Sequence, residues 1–426
     1  MCASVWLPTG TLFPIRNRSF RVFTKNSSTS WISYVKLKKN NMIDITSQKG
    51  FDALCRECEK QPYLAIDTEF IRERSFFPQL ALLQIAWPGS APMLIDPLKI
   101  DNWKPLHKIL LNPNVTKIFH AGRQDIEIFF LQMGTIPTNL FDTQIAASFM
   151  GYGEQIGYGG LVQRMLGVEL QKGDSYTNWL KRPLTESQIA YARNDVLYLI
   201  EIYEKLVNRA KALGRRQWIQ EEIDHTFDNE LFTPNPKNMW QRVKKNQSLK
   251  GRKLAVLQEL AIWRYETAKA INKPLRFVLR DEVLISIAHR KQLDTVSLSQ
   301  IRGFQPKLRK QQAANLIHAF EKGYFKPEED WPKRSERPSG YSSEIELIAE
   351  LVWILVKEVS AKEGVAATLL LSKKQLPGYV SDFLRGQQTE FLTGWRKELI
   401  GSKLEALLNG KMSLFIDNGH VVFRSS

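Results

Sequence analysis

Tyr63-Leu64-Ala65-Ile66-Asp67-Thr68-Glu69-Phe70 is an apolar run that leads into two acids separated by one residue. A run of this kind reads as a buried strand, and residues two apart on a strand point to the same face. Asp67 and Glu69 therefore converge on one target. A second convergent pair lies downstream, in a helical segment from about Thr185 to Val207. Its Thr185-Glu186-Ser187-Gln188 start has the form of a capped helix N-terminus, and Tyr191 and Asp195, four apart, share a helical face. Asp125 follows another apolar run, Thr116 to Phe119.

Four carboxylates in one pocket repel one another, and the sequence places no fixed lysines beside them. Divalent cations supply the missing charge. Hard oxygen ligands favour Mg²⁺ or Mn²⁺, and two such ions roughly 3.5–4 Å apart stabilise the attacking and leaving oxygens of an in-line phosphoryl displacement. Phosphodiester hydrolysis is the chemistry this set suits. A tyrosine with an ordinary pKa near 10 orients the attacking water and does not deprotonate it. Asp-x-Glu and Tyr-x-x-x-Asp are common pieces singly, so their order and flanks carry the reading.

The 426 residues carry a net charge of +16, unevenly spread. Residues 1–41 hold seven Lys/Arg and no acid, and 42–225 hold twenty basic against twenty-two acidic residues. Residues 240–325 hold eighteen against six, and 326–426 fourteen against fourteen. A near-neutral catalytic region joined to a compact basic one suits a protein that grips a polyanion with one part and cuts it with another. No apolar run reaches the eighteen residues of a membrane span, so no membrane partner is expected. Cys2, Cys55 and Cys58 are too sparse for a disulfide scaffold. They point to a reducing, cytoplasmic setting, with Cys55 and Cys58 as reduced helix cysteines and not a zinc site.

Residues 1–41 lack periodicity and read as disordered, or as an over-extended translation start before Met42, with a superficial likeness to a transit peptide. From Met42 onward, strands are expected at Met42–Ile45, Leu64–Asp67, Leu80–Trp87, Met93–Asp96 and Thr116–Phe119. Helices are expected near Trp103–Leu111, Asp125–Met133 and Asp142–Met150. The mixture predicts an α/β layer fold whose first strands are antiparallel, unlike a doubly wound nucleotide fold, and no glycine-rich phosphate loop is present. After a boundary near residues 225–240 helix signals dominate. Pro327–Gly340 reads as a linker, and Leu347, Leu351, Ile354 and Leu355 read as one helical face beyond it.

The stretches LAIDTEFIRERSFFPQLALLQIA, KIFHAGRQDIEIFF, NLFDTQIAASFMG and SQIAYARNDVLYLI closely resemble the motifs of the ribonuclease D family, in the tyrosine-bearing branch of the DEDD 3′→5′ exonucleases. The resemblance implies an RNase H-like α/β exonuclease domain over 42–225, a mixed sheet flanked by helices. It implies Asp67, Glu69, Asp125 and Asp195 as metal ligands, and Tyr191 as the residue that orients water. Residues 240–325 resemble the helicase-and-RNase-D C-terminal (HRDC) domain through Leu257–Arg264, Lys273-Pro274 and Asp281–Leu284. Residues 341–426 resemble its divergent second copy through Phe391–Arg396 and Leu404–Gly410. Two all-α helical bundles are thus expected. The first offers Lys244, Lys245, Arg252, Lys253, Arg302, Lys307, Arg309 and Lys310 as phosphate contacts, and the neutral second has a scaffolding role.

The function implied is metal-dependent trimming of structured RNA 3′ ends, such as tRNA precursors, by a monomer that releases nucleoside 5′-monophosphates. Two alternatives are a DNA 3′→5′ exonuclease of Werner type and a nucleic-acid-binding protein with an inert nuclease fold. Among neighbouring residues, His120 and Gln84 are candidates for contact with the terminal nucleotide. Phe70, Phe76 and Phe77 are candidates for a wedge against its base. Asp142 is expected to cap a helix.

Overall fold

The computed structural model describes residues 42–171, 173, 177–228, 232–304, 310–334, 341–387 and 392–425. Its first part begins with helix α1 (Gln48–Cys58), strands β1 (Tyr63–Ile71), β2 (Gln79–Ala86) and β3 (Met93–Ile95), and helix α2 (Lys104–Leu110). There follow β4 (Thr116–Phe119), α3 (Arg123–Met133), β5 (Leu140–Asp142), α4 (Thr143–Ser148) and α5 (Tyr158–Leu166). Helices α6 (Glu186–Leu197), α7 (Leu199–Ala212) and α8 (Arg216–Thr226) complete it. The sheet order is β3-β2-β1-β4-β5, which puts β1 in the centre. The β1–β2 and β2–β3 pairs are antiparallel, and β1–β4 and β4–β5 are parallel. Short connections join the antiparallel strands, while the parallel β4 and β5 need the crossover that α3 provides.

Several elements differ from expectation for local reasons. Leu140–Asp142 is a strand beside β4, too short to leave a periodic signal, so the helix begins only at Thr143. The segment read as one helix from Thr185 to Val207 breaks at Tyr198. There the Tyr158 hydroxyl donates to the Asn194 carbonyl at 2.9 Å and accepts from the Tyr198 N–H at 3.2 Å, so a side chain takes the place of the next helical bond. Residues 42–45 add only a single bridge, Ile45 to Ile95.

The basic part packs α9 (Arg252–Ala270), α10 (Asp281–Ala288), α11 (Thr295–Ser299) and α12 (Lys310–Tyr324) around Leu257, Leu260, Leu284, Ile287, Leu316 and Phe320. Buried Glu259 receives Lys326 at 2.5 Å and Lys322 at 2.9 Å, which ties α12 and the segment after it to α9. Part of the expected linker packs here too, since Arg334 donates to the Asn246 side chain at 2.9 Å and its backbone at 2.6 Å.

The last part contains α13 (Ser343–Glu363), α14 (Leu376–Leu384) and α15 (Ser402–Leu408). It ends in a two-stranded antiparallel hairpin, β6 (Met412–Asp417) and β7 (His420–Ser425), an addition to the expected helices. Asn418 and Gly419 both take positive φ at its tip, the two-residue turn that Asn-Gly favours. The buried face of α13 is Ala349, Val352, Leu355, Val356 and Val359, whereas Leu347 is 71% exposed. That face joins the exonuclease part in one buried cluster. Trp395 lies edge-on to Phe149 with ring centres 4.8 Å apart and stacks on Trp218 at 5.8 Å. Arg215 donates to the carbonyls of Phe149 and Glu363, each at 2.7 Å, and Arg396 pairs with Glu222 at 2.6 Å. Among the described residues no helix is long and apolar enough to cross a membrane.

Candidate active site

A cleft of about 1090 Å³ opens at the end of β1 and is lined by Asp67, Glu69, Asp125, Tyr191 and Asp195 together. Asp67, Glu69 and Asp195 each present an oxygen within 4.8 Å of the other two. Strand alternation brings Asp67 and Glu69 to one face, and the β1–β2 register shifts immediately after Glu69, as at a bulge. Helix α6 supplies Tyr191 and Asp195, and its start is fixed by a reciprocal cap: Thr185 accepts from the Gln188 N–H at 3.2 Å, and Gln188 accepts from the Thr185 N–H at 3.0 Å.

Asp125 comes from the first turn of α3, and the turn before it is held by Asp142. That carboxylate caps α4 by accepting from the N–H groups of Gln144 (2.8 Å) and Ile145 (3.1 Å). It also accepts from Ala121 (3.3 Å) and Gly122 (2.9 Å), where the chain passes through a positive φ of 54° at Ala121. The cap expected at Asp142 thus anchors the catalytic-looking helix as well. The Thr68 hydroxyl, between Asp67 and Glu69, donates to the Asp125 carboxylate and binds β1 to α3.

Burial raises every carboxyl of the cluster, and repulsion from its other members adds to this at Asp67, Glu69 and Asp195. Burial is the larger cause at Glu69, pushed up to about 9 with help from Asp195 and Asp125, and at Asp195, pushed up to about 7 with help from Asp125. Asp67 is raised well above the carboxylate range by burial, then by Asp125, Asp195 and Glu69. Asp125 rises only to about 6, because burial is opposed by the Thr68 hydrogen bond. Such a cluster holds protons unless cations replace them, and the Asp195 Oδ2 is buried with no hydrogen-bond partner in the structure. The residues fit a divalent metal: hard oxygens, a shared focus and an excess of negative charge.

Tyr191 is held from two sides. Its ring lies 6.1 Å from that of Trp179, and the Gly173 backbone presses against it so closely that a Cβ there would lie 1.9 Å from Cδ2. Burial, then Asp195, Glu69 and Asp67, push its hydroxyl above the usual tyrosine pKa, so it remains neutral. His120 lines the cleft, yet its Nδ1 is bonded to the Thr143 hydroxyl (2.9 Å) and its Nε2 to the Ile156 carbonyl (3.0 Å), so neither nitrogen is left for a nucleotide. Gln84 is fully buried directly across the ladder from Asp67 and does not line the cleft. Phe70 lines the cleft, while Phe76 and Phe77 face a neighbouring cavity.

Two residues of the basic part also reach the cleft, Asn272 and Lys273. Asn272, in the left-handed conformation just after α9, accepts from the backbone N–H of Phe76 at 3.0 Å and of Phe77 at 3.1 Å. The Phe76 ring meets Tyr265 of α9 at 5.4 Å. Lys273, next in the chain, thereby lines the same cleft as the carboxylates. The local signal is an Asn that ends a helix, but its partner is 196 residues away in the chain. Of the phosphate contacts expected from sequence, the five among the described residues, Lys244, Lys245, Arg252, Lys253 and Arg302, do not line the cleft. Lys244 donates its backbone N–H to Asp281, Arg252 covers the Tyr324 ring and Lys253 contacts His289, while Lys245 and Arg302 are exposed. Lys307, Arg309 and the Lys310 side chain lie outside the described residues.

A sheet with antiparallel β1 to β3, parallel β4 and β5, and an acidic cleft at the end of its central strand defines a 3′-5′ exonuclease. The family model of that description matches residues 42–211, and the HRDC domain model matches 253–319. Ribonuclease D of Jannaschia sp. (strain CCS1) is 38% identical over 87% of this chain and 96% of its own, and that of Sphingobium indicum is 35% identical over 88% and 97%. The crystal structure of Escherichia coli RNase D, described as an exoribonuclease involved in structured RNA processing, superposes with a TM-score of 0.73 at 33% identity. It covers 86% of this chain and 98% of that one. The chain belongs to the ribonuclease D family of exoribonucleases.

Proposed function

We propose that the protein removes nucleotides one at a time from the 3′ ends of structured RNA such as tRNA precursors, acting as a cytoplasmic monomer and releasing nucleoside 5′-monophosphates. The observation that carries this reading is the convergence of Asp67, Glu69 and Asp195 within 4.8 Å in a cleft they share with Asp125 and Tyr191. In this reading Asp67, Glu69, Asp125 and Asp195 hold two divalent ions, Mg²⁺ or Mn²⁺. When bound, the ions lower the pKa of the attacking water and offset charge on the attacking and leaving oxygens.

The chain's own residues supply the rest. The neutral Tyr191 hydroxyl orients the water in line with the scissile P–O3′ bond, and Lys273 and Arg74, both in the cleft, offer positive charge to the phosphates. Attack at phosphorus breaks the P–O3′ bond. The shortened strand keeps a 3′-hydroxyl, and the departing nucleotide carries the 5′-phosphate. The test is digestion of a 3′-extended tRNA with and without Mg²⁺, beside a matched DNA strand. Stepwise release of 5′-monophosphates from RNA, lost on chelation and on Asp67→Asn, is expected. Preference for the DNA strand, or binding without metal-dependent release, overturns it.

A further inference from the structure

A second cavity, of about 920 Å³, lies between the exonuclease part and the basic helices. It shares Arg72, Glu73 and Ser75 with the catalytic cleft, and the two hollows flank the contact of Asn272 with Phe76 and Phe77. The cleft takes Asn272 and Lys273 from the loop after α9, and the second cavity takes Pro274, Leu275 and Arg276 from its continuation. The two spaces are consecutive along one wall.

We propose that this cavity binds the single-stranded RNA immediately 5′ of the nucleotide being removed. Arg123, Arg242, Lys269 and Arg276 would meet its phosphates, and Phe77 and Tyr265 would stack on its bases. The proposal rests on the exoribonuclease reading of the cleft, which fixes where the 3′ end sits. All four cations are exposed at this wall and none is in an ion pair among the described residues; Arg276 lies over the Phe277 ring at 5.4 Å. Of the three acids there, Glu127 is already neutralised by a two-pronged bond from Arg72 at 2.6 and 2.7 Å, which leaves Glu73 and Glu266 against four free cations. Phe77 and Tyr265 are half-buried and line the cavity, each with its ring edge-on to that of Phe76. Cations interleaved with aromatic faces hold a single strand without reading its sequence, since every base has a face to stack and every link a phosphate. A trimming enzyme needs a hold of this type, because the sequence under it changes at each step.

Length dependence tests the proposal. Single-stranded oligoribonucleotides of about two to about twelve nucleotides are compared on the full-length wild type and on Lys269→Glu/Arg276→Glu. For the wild type KM should fall as the strand grows long enough to enter the second cavity. In the double variant that gain should be lost, with KM for the longest strand raised about tenfold or more and kcat at saturation held. In EDTA, RNA with 4-thiouridine placed a few nucleotides from the 3′ end should crosslink to Phe77 or Tyr265. The proposal is overturned if wild-type KM is independent of length, if the variant raises KM equally at all lengths, or if the crosslinks fall elsewhere. Absence of hydrolysis of any RNA would instead defeat the exoribonuclease reading, while the crosslink in EDTA still reports whether the cavity is occupied.

Discussion

Asn272 of the basic part accepts hydrogen bonds from the backbone of Phe76 in the exonuclease part, at 3.0 Å, and so brings Lys273 into the acidic cleft. The contact makes the basic helices a wall of the active site as well as a source of distant charge. Asn272→Ala leaves two exposed backbone donors to water, so its effect on folding should stay near 1 kcal/mol, while KM for RNA rises severalfold. Lys273→Gln should raise KM by a similar factor and reduce the slope of log K against log salt by about 0.7, the share of one phosphate contact on a single strand. Binding titrations across a salt series check both, and an unchanged slope in Lys273→Gln rules out its phosphate contact.

Stability should respond to pH and metal together. A carboxyl whose folded pKa is raised binds its proton more tightly in the folded state. Its stabilisation is complete below the unfolded pKa and is lost as pH rises toward the folded one. For Glu69 that window runs from 4.5 to about 9, for Asp195 from 3.8 to about 7, and for Asp125 from 3.8 to about 6. The metal-free protein should therefore lose stability from about pH 4 to 9. Mg²⁺ should restore it, so the Tm gap between loaded and metal-free protein widens with pH. Thermal melts with Mg²⁺ and with EDTA across that range measure it; a gap that narrows with rising pH contradicts the assignment.

The parts of the site that could be read from sequence are those set by local periodicity. Asp67 and Glu69 follow from strand alternation, and Tyr191 and Asp195 from the helical repeat. What escaped the sequence depends on distance or brevity. Leu140–Asp142 is a strand of three residues, and the break at Tyr198 is made by a tyrosine forty residues upstream. The positions of Asn272 and Lys273 depend on a bond across 196 residues. The Asn418-Gly419 turn was legible, being a strong short-range hairpin signal, but a helical reading of residues 341–426 passes over it. Charge counting located the basic part but could not say which of its cations face a cavity, because composition carries no orientation.

Gly173 and Tyr191 make a sharper test of the proposed role of the tyrosine. Tyr191→Phe removes the hydroxyl and keeps the ring, and kcat should fall by about a hundredfold or more with metal binding retained. Gly173→Ala adds a methyl into the ring's place, since its Cβ would lie 1.9 Å from Cδ2. The ring or the residue 173 backbone must then move. A loss of kcat approaching that of Tyr191→Phe, with little change in Tm, is expected. Steady-state kinetics beside thermal melts decide it, and full activity in Gly173→Ala would show that the loop yields and the ring does not.

Trp395 provides the test of how the last part is joined to the catalytic one. It is 1% exposed, packed between Phe149, just after α4, and Trp218 on α8. Arg396 beside it pairs with Glu222, so the contact combines a large apolar side chain with a tethered charge. Replacing a buried tryptophan by alanine costs about 3–5 kcal/mol, and Trp395→Ala should cost that much of the stability of the exonuclease part itself. Because the buried cluster is shared, the wild type should lose the structure around Phe149 and around Val356 in a single urea transition. Deleting residues 326–426 should likewise bare the Phe149 surface and cause aggregation, so loss of RNA binding in that truncation would reflect a damaged core. Two separate transitions, or a Trp395→Ala variant whose exonuclease part melts as the wild type does, would show that the last part folds independently of the sheet.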